Sequence, residues 1–80
     1  MAWVYILQGS TGRHYIGSTV DLDQRLKQHR RGHTQTTRRI GELTLAAAKE
    51  VGTLSEARQI ERRLKAKKNP HLAIFHLEQL

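Results

Sequence analysis

The 80-residue sequence carries 14 Lys and Arg against 7 Asp and Glu, which gives a formal net charge of +7, and its length predicts a single domain over residues 1–80 with a small core. Only 38% of the residues are hydrophobic, and no apolar run approaches the roughly 18 residues of a membrane span, so we expect a soluble, cytoplasmic protein without a secretory leader. The absence of cysteine excludes disulfides, Cys-ligated zinc and thiol chemistry.

The first 18 residues predict a β-hairpin. An apolar and β-branched run at residues 3–7 is followed by turn residues at 8–12, and an extended pattern resumes over residues 14–18. Side chains alternate between the two faces of a strand. A register that pairs Tyr5 with Tyr15 would therefore place the two phenols side by side, whereas a slip of one residue would separate them.

A first helix is predicted from Asp21, a good N-cap with Gln24 in the capping-box position, to about residue 30, and Gly32 ends it. Its core-facing stripe, at positions i, i+3, i+4 and i+7, consists of Leu22, Arg25, Leu26 and His29. Arg and His seldom occupy an inward stripe without a partner. The pattern favours a site role for Arg25 and His29 over a snorkelling arginine and an ordinary buried histidine.

The sequence of the middle of the chain predicts its secondary structure less clearly. Residues 33–41 are polar and contain Thr36 and Thr37, so we interpret them as an ordered loop near a ligand. Residues 42–51 are consistent with a buried strand or with an alanine-rich helix, and periodicity does not decide between the two.

Two further helices are predicted after Gly52. Ser55 can cap a helix that runs to about Lys67, and Asn69-Pro70 ends it. The terminal segment, residues 71–80, predicts a short helix that packs its apolar side chains Leu72, Phe75 and Leu77.

The basic residues are grouped in two stretches that hold 12 of the 14. The first contains Arg25, Lys27, Arg30, Arg31, Arg38 and Arg39, and the second contains Arg58, Arg62, Arg63, Lys65, Lys67 and Lys68. Glu61 is the one acid inside either stretch. Such one-signed grouping favours a polyanionic partner, DNA or RNA, over the plainer interpretation that the charges solvate helix faces.

Glu61 lies at the border of the apolar arc of the second helix. Two interpretations stay open from the residues alone. The carboxylate forms i,i+3 and i,i+4 ion pairs with Arg58 and Lys65, or it holds a hard divalent cation together with substrate phosphate and water.

Several of these segments together resemble the GIY-YIG nuclease superfamily. The elements are Val4-Tyr5-Ile6, Tyr15-Ile16-Gly17-Ser18-Thr19, Asp21-Leu22 with Arg25-Leu26 and His29, and Ser55-Glu56-Ala57 with Glu61 and Leu64-Lys65. The sequence is most similar to the small URI-like members, which are related to the amino-terminal nuclease domain of the excision-repair protein UvrC. The resemblance spans roughly residues 2–68, although Trp3 and Val4 stand where the family motif begins with Gly-Ile.

The resemblance implies an α+β fold, a three-stranded antiparallel sheet flanked by helices, in which residues 42–51 form the third strand. It also implies a DNA endonuclease dependent on Mg²⁺ or Mn²⁺. Carried over residue by residue, the catalytic set is Tyr5, Tyr15, Arg25, His29 and Glu61, with Glu61 as the metal ligand. Tyr5 would activate water, either as a phenolate favoured by nearby cations or with His29 as the acceptor of its proton. Tyr15 would position the phosphate, and the two tyrosines could exchange these roles.

The basic residues predicted to bind nucleic acid are Lys27, Arg30, Arg31, Arg38, Arg39, Arg58, Arg62 and Lys65. The substrate would be branched, nicked or single-stranded DNA, cut structure-selectively or with weak sequence preference in repair or recombination. A thin core and one small site also suggest a protein partner or a dimer. Two alternatives stay open: a catalytically silent nucleic-acid-binding module of the same fold, and a protein-interaction module for an acidic partner.

Overall fold

The fold is a three-stranded antiparallel sheet with three helices, in the α+β class that the sequence predicts. The structure is a computed structural model and describes residues 1–10, 12–30 and 43–79, with the side chains of Arg30 and Pro70 excepted. The elements in chain order are β1 (Ala2–Gly9), β2 (His14–Thr19), α1 (Leu22–Arg30), β3 (Leu43–Val51), α2 (Leu54–Ala66) and α3 (Pro70–Glu78). The ambiguous alanine-rich segment is therefore a strand. The predicted loop at residues 33–41 and the helix stop at Gly32 lie outside the described residues.

The hairpin register differs from the direct pairing of the two tyrosines. Tyr5 lies opposite Gly17, and Tyr15 lies opposite Leu7, so a pairing of Tyr5 with Tyr15 is wrong by two residues. The turn fixes this offset, because Gly9 N–H donates to the Arg13 carbonyl at 2.8 Å and Gly12 adopts a left-handed φ of 88°. A shift of two residues preserves the face of a strand. Both phenols therefore stay on the same side of the sheet.

β1 is the central strand, with β2 and β3 as the two outer strands, and its side chains divide between two faces. Val4 and Ile6 join the hydrophobic core formed with α2 and α3, where they pack with Ala57 and Leu64. Tyr5, the residue between them in the chain, points to the opposite face and is fully buried there. The sheet thus separates a helix-packed core from the side on which the tyrosines lie.

The helix caps confirm one prediction and correct another. Asp21 caps α1, since its Oδ1 accepts from the backbone N–H of Gln24 at 3.1 Å. The cap of α2 is Thr53 instead of Ser55, because the Thr53 hydroxyl accepts from the Glu56 N–H at 3.1 Å and α2 begins at Leu54. The predicted boundary was therefore two residues too late.

The buried face of α3 also differs from the prediction. Ala73 and Leu77 are buried, whereas Leu72 and Phe75 are 47% and 55% exposed. Asn69 caps this helix, with its side-chain oxygen accepting from the N–H groups of the first turn. Within the described ranges, none of the helices has the length and apolar character needed to cross a bilayer.

Candidate active site

Tyr5, Tyr15, Arg25 and His29 come together on the face of the sheet opposite the core, and we refer to them as the phenol cluster. The Tyr5 hydroxyl is hydrogen-bonded to Nε2 of His29 at 2.8 Å. The ring of Tyr15 lies 4.8 Å from that of His29 and 6.2 Å from that of Tyr5, measured between centroids. The structure thus brings together four of the five residues predicted to be catalytic.

Gly17 makes the space for this arrangement. A Cβ atom at position 17 would lie 2.5 Å from the Tyr5 hydroxyl oxygen and 2.7 Å from the ring carbon that bears it. Such distances are far shorter than a van der Waals contact. The glycine in Tyr15-Ile16-Gly17 is therefore required because the buried Tyr5 phenol occupies the position of its missing side chain.

Arg25 is the charged member of the phenol cluster. Its guanidinium interacts with both phenols, chiefly with that of Tyr5, and these interactions raise the pKa of Arg25 above its ordinary value despite partial burial. Arg25 also donates a hydrogen bond from a terminal nitrogen to the Gln28 side-chain oxygen at 3.1 Å. A half-buried guanidinium with a fixed fork of donors suits the binding of a phosphate oxygen.

Burial controls protonation in the phenol cluster. Desolvation, only partly offset by the neighbouring Arg25, raises the pKa of Tyr5 to about 12. Desolvation and then the charge of Arg25 lower the pKa of His29 below its ordinary value of 6.5. Both residues are therefore neutral at pH 7. The other ring nitrogen of His29, Nδ1, is buried and has no hydrogen-bond partner within residues 1–10, 12–30 and 43–79.

Glu61 lies in a second group, the carboxylate cluster, which consists of Ser18, Glu61 and Lys65. The Ser18 hydroxyl donates to Oε1 of Glu61 at 2.6 Å, and the Lys65 ammonium lies 2.7 Å from Oε2. Partial burial would raise the pKa of Glu61, but the hydrogen bonds from Lys65 and Ser18, with the charges of Lys65 and Arg58, outweigh it and lower that pKa. The carboxylate is therefore ionised at neutral pH.

The two clusters approach the sheet from different sides and meet at the outer strand β2. Ser18 lies opposite Val4 in the register and so shares the core-side face, whereas its neighbour Gly17 lies opposite Tyr5. A cleft of about 370 Å³ at the end of β2 is nevertheless lined by Ser18 together with Arg25 and Arg58. The cleft therefore joins the guanidinium of one cluster to the serine that holds the carboxylate of the other.

The predicted nucleic-acid-binding residues are distributed unevenly. Lys27 of α1 and Arg58, Arg62 and Lys65 of α2 are exposed, and of these Arg58 lines the cleft beside Arg25. Arg31, Arg38 and Arg39 lie outside the described residues, as does the side chain of Arg30. The described cations therefore flank the site on α1 and α2.

No role was predicted for Ser18 from the sequence, although the residue lies within the Tyr15-Ile16-Gly17-Ser18-Thr19 motif. Strand alternation is the sequence signal that could have indicated its role. Because side chains alternate along β2, Ser18 points to the face opposite to that of Tyr15, towards α2. Its contact with Glu61 spans 43 positions of sequence and could not be inferred from local spacing.

Comparison with known proteins identifies the family of the chain. The family model described as the GIY-YIG catalytic domain matches residues 1–73. The chain belongs to the GIY-YIG family. The catalytic domain of this family therefore covers most of the chain.

Curated relatives of this GIY-YIG chain belong to a group named UPF0213. The UPF0213 protein YhbQ of Salmonella typhimurium is 39% identical over 64 residues, which cover 79% of this chain and 64% of the relative. A UPF0213 protein of Pectobacterium carotovorum is 41% identical, with 79% and 65% covered. The chain thus spans about two-thirds of the length of the relatives. No solved structure matches it significantly.

GIY-YIG nucleases generally depend on a divalent metal, and the residues present fit such an ion in one way. No group of three or more His, Asp or Glu side chains converges in the described ranges, so a cage built from protein ligands alone is not found there. Glu61 instead supplies a single ionised, half-buried carboxylate. Mg²⁺ is often held by one or two carboxylates completed by water and substrate phosphate, and Glu61 suits that donor set.

Proposed function

We propose that the protein is a divalent-metal-dependent endonuclease that hydrolyses phosphodiester bonds in DNA, structure-selectively or with weak sequence preference. The observation that carries the proposal is the cleft in which Arg25, whose pKa is raised chiefly by the neighbouring Tyr5, lies beside Ser18, which donates a hydrogen bond to Glu61. A phosphate in this cleft would meet the guanidinium groups of Arg25 and Arg58, and Ser18 links the cleft to the ionised carboxylate of Glu61. We further propose a cytoplasmic protein that acts in DNA repair or recombination.

The phenol cluster would supply the proton transfer and the phosphate contact. With a pKa of about 12, Tyr5 is not a phenolate at neutral pH, so it would activate water only by passing its own proton to the neutral His29. Arg25 would hold a non-bridging oxygen and stabilise the charge that develops on it. Tyr15 would donate a hydrogen bond to the phosphate and position it.

Glu61 would hold the metal, Mg²⁺ or Mn²⁺. Bound there, the ion supplies Lewis-acid stabilisation of charge on the phosphate and on the leaving oxygen. Ser18 orients the carboxylate through Oε1. The exposed cations Lys27, Arg58, Arg62 and Lys65, with Arg30, Arg31, Arg38 and Arg39, would guide the DNA backbone.

One contact favours a second candidate, a catalytically silent nucleic-acid-binding module. Lys65 already neutralises Oε2 of Glu61 at 2.7 Å, as a purely structural ion pair would. In that case the carboxylate would hold the helix surface together and would take no metal.

Metal-dependent cleavage distinguishes the two candidates. Nicked, branched and single-stranded DNA are incubated with the wild-type protein and a series of Mg²⁺ or Mn²⁺ concentrations. We expect cleavage that Glu61→Gln lowers by at least about a hundredfold, while the exposed Glu56→Gln on the same helix cuts like wild type. DNA binding without metal-dependent cutting, or cutting unchanged in Glu61→Gln, would instead support the silent module or a different catalytic group.

A further inference from the structure

A second cleft, of about 420 Å³, runs beside the outer strand β2 and is bounded by α2 and by the connection between α2 and α3. Its volume lies within the range of small-ligand sites and is sufficient for one nucleotide. Tyr15 of the phenol cluster and Lys65 of the carboxylate cluster both line it. The cleft therefore adjoins the proposed active site from the core side of the sheet. We refer to it as the His14 cleft.

The lining of the His14 cleft combines an apolar wall with cationic groups. Ile16, Leu64 and Ala73 provide the apolar part, and Lys65 and Lys68 provide two ammonium groups, with no carboxylate among the lining residues. A flat apolar ring together with a phosphate matches this combination, because the phosphate would neutralise the ammonium group of Lys68, whereas Lys65 is already paired with Glu61.

His14 contributes a polar group that the described protein does not satisfy. Its Nε2 is buried and has no hydrogen-bond partner within the described ranges, and the residue lines the cleft. Buried polar atoms without a partner are uncommon in proteins, and a ligand can supply the missing partner.

The backbone at Lys68 is in a conformation that side chains rarely adopt. Lys68 has a φ of 56°, and it is the one non-glycine residue with positive φ in the described part of the chain. The next residue, Asn69, caps α3 and fixes the direction in which the chain continues. Helices commonly end with a left-handed residue at this position, directly after the C-cap, which for α2 is Lys67, and Lys68 lines the cleft from there.

From these observations we infer that the His14 cleft is a subsite for one nucleotide of the DNA strand, adjacent to the phosphate that the active site would cut. The inference rests on the proposed function for the identity of the strand. Ile16, Leu64 and Ala73 contact the base or sugar, Lys65 and Lys68 contact phosphate, and His14 provides a hydrogen bond. Lys65 bridges the subsite to Glu61, with which it forms an ion pair at 2.7 Å.

The subsite is tested by binding alone, without metal and in the presence of a chelator. Thymidine 3′,5′-bisphosphate is titrated into the wild-type protein while NMR follows the side-chain signals of His14, and thymidine and inorganic phosphate are titrated separately. We expect the His14 signals to shift with the bisphosphate, at concentrations at least about tenfold lower than with either fragment. Equal affinity for inorganic phosphate, or His14 signals that do not move, would overturn the inference.

Adjacent lysines offer a matched pair of variants. Lys68→Met removes an ammonium that lines the cleft, whereas Lys67→Met makes the same change of charge at an exposed residue that does not line it. We expect Lys68→Met to weaken bisphosphate binding about tenfold and Lys67→Met less than about twofold. Lys68→Gly, which favours positive φ, repeats the test if Lys68→Met does not fold. Equal losses in the two lysine variants would mean general charge attraction and would overturn the subsite.

The outcome is separable from that of the proposed function. Bisphosphate binding that depends on Lys68, in a protein that cuts no DNA, would support the subsite and count against the endonuclease. Metal-dependent cutting by a protein in which Lys67 and Lys68 variants bind alike would support the endonuclease and refute the subsite.

Discussion

The phenol cluster and the carboxylate cluster lie on either side of one strand and set protonation by opposite means. In the phenol cluster, burial dominates, so that Tyr5 and His29 are both kept neutral. In the carboxylate cluster, burial is opposed by the hydrogen bonds of Lys65 and Ser18, and Glu61 is kept ionised. The difference follows from the neighbours, because the charge of Arg25 acts on His29 in the same direction as burial, whereas Lys65, Ser18 and Arg58 oppose burial at Glu61.

This contrast shows how a thin domain can hold groups with different charge requirements close together. A histidine that accepts a proton must be neutral beforehand, and a carboxylate that binds a metal ion must be ionised and accessible. The sheet separates the phenol cluster from the carboxylate cluster. Because β2 is an outer strand, one cleft at its end is lined by a residue of each cluster, Arg25 and Ser18. β2 therefore lies between the two clusters, and a substrate in the cleft would contact the end of this strand.

Among the substitutions that retain all five proposed catalytic side chains, Gly17→Ala should give the largest effect, because it acts on the phenol cluster and leaves the carboxylate cluster intact. The new Cβ would lie 2.5 Å from the Tyr5 hydroxyl oxygen, so the buried phenol must move away from His29. We expect the free energy of unfolding to fall by about 1–3 kcal/mol and cleavage to fall by about a hundredfold. Denaturant unfolding and cleavage rates measure the two effects.

Gly52→Ala is the control for this substitution. Its Cβ would meet the Glu56 carboxylate at 3.7 Å, which is an ordinary contact. Its unfolding midpoint and cleavage rate should therefore stay close to wild type. Equal stability and activity for the two alanine variants would show that Tyr5 does not depend on the space at position 17.

Ser18→Ala acts on the carboxylate cluster alone and should have a smaller effect. Losing the 2.6 Å hydrogen bond leaves Glu61 ionised through Lys65 but less firmly oriented, and the pKa of Glu61 should rise. Because ligand-orienting residues commonly change metal affinity by 10–100-fold, we expect the Mg²⁺ concentration for half-maximal cleavage to rise about tenfold.

The controls for Ser18→Ala separate orientation from packing. Ser18→Thr retains a hydroxyl and should recover most of the metal response, and the exposed Ser55→Ala should behave like wild type. A Ser18→Ala protein that is less stable yet keeps the wild-type Mg²⁺ titration would assign a purely structural role to Ser18.

The sequence predicted local features well where one residue type decided the outcome. Asp21 as a cap is decided by its own side chain and by the residues that follow it. The hairpin register required the geometry of the turn at Gly9 and Gly12, which shifts Tyr15 by two positions without changing its face. Long-range contacts, such as that of Ser18 with Glu61, depend on how α2 packs on the sheet.

α3 shows why the remaining fold could not be predicted. Its apolar residues Leu72, Ala73, Ile74, Phe75 and Leu77 are spread around the helix, so that periodicity does not single out one buried face. The sequence prediction buried Leu72 and Phe75, but the small Ala73 is buried instead, together with Leu77. Tertiary packing thus determines which face of α3 is buried, and the residue pattern alone does not.

The smallest expected effect is on the pH dependence of the free energy of unfolding. His29 contributes to it in the phenol cluster, and Glu61 contributes to it in the carboxylate cluster. The pKa of His29 is lowered by folding, so below about pH 6.5 the unfolded chain binds a proton that the folded protein does not, and stability falls as the pH drops further. Above that pH, His29 contributes no slope. Glu61 also has a lowered pKa, so its contribution is present above its ordinary value of 4.5 and is lost as the pH falls through the folded value.

Two variants separate these pH windows and test the contrast between the clusters. His29→Gln should flatten the pH dependence of the free energy of unfolding just below pH 6.5, while stability is still lost below pH 4.5. Glu61→Gln should reduce the loss of stability below pH 4.5 and leave the pH dependence just below pH 6.5 unchanged. The exposed His76→Gln should change neither window. Urea unfolding between pH 3 and pH 8 measures the slopes. If His29→Gln keeps the wild-type slope near pH 6, folding does not lower the pKa of His29, and the contrast in protonation between the two clusters fails for the phenol cluster.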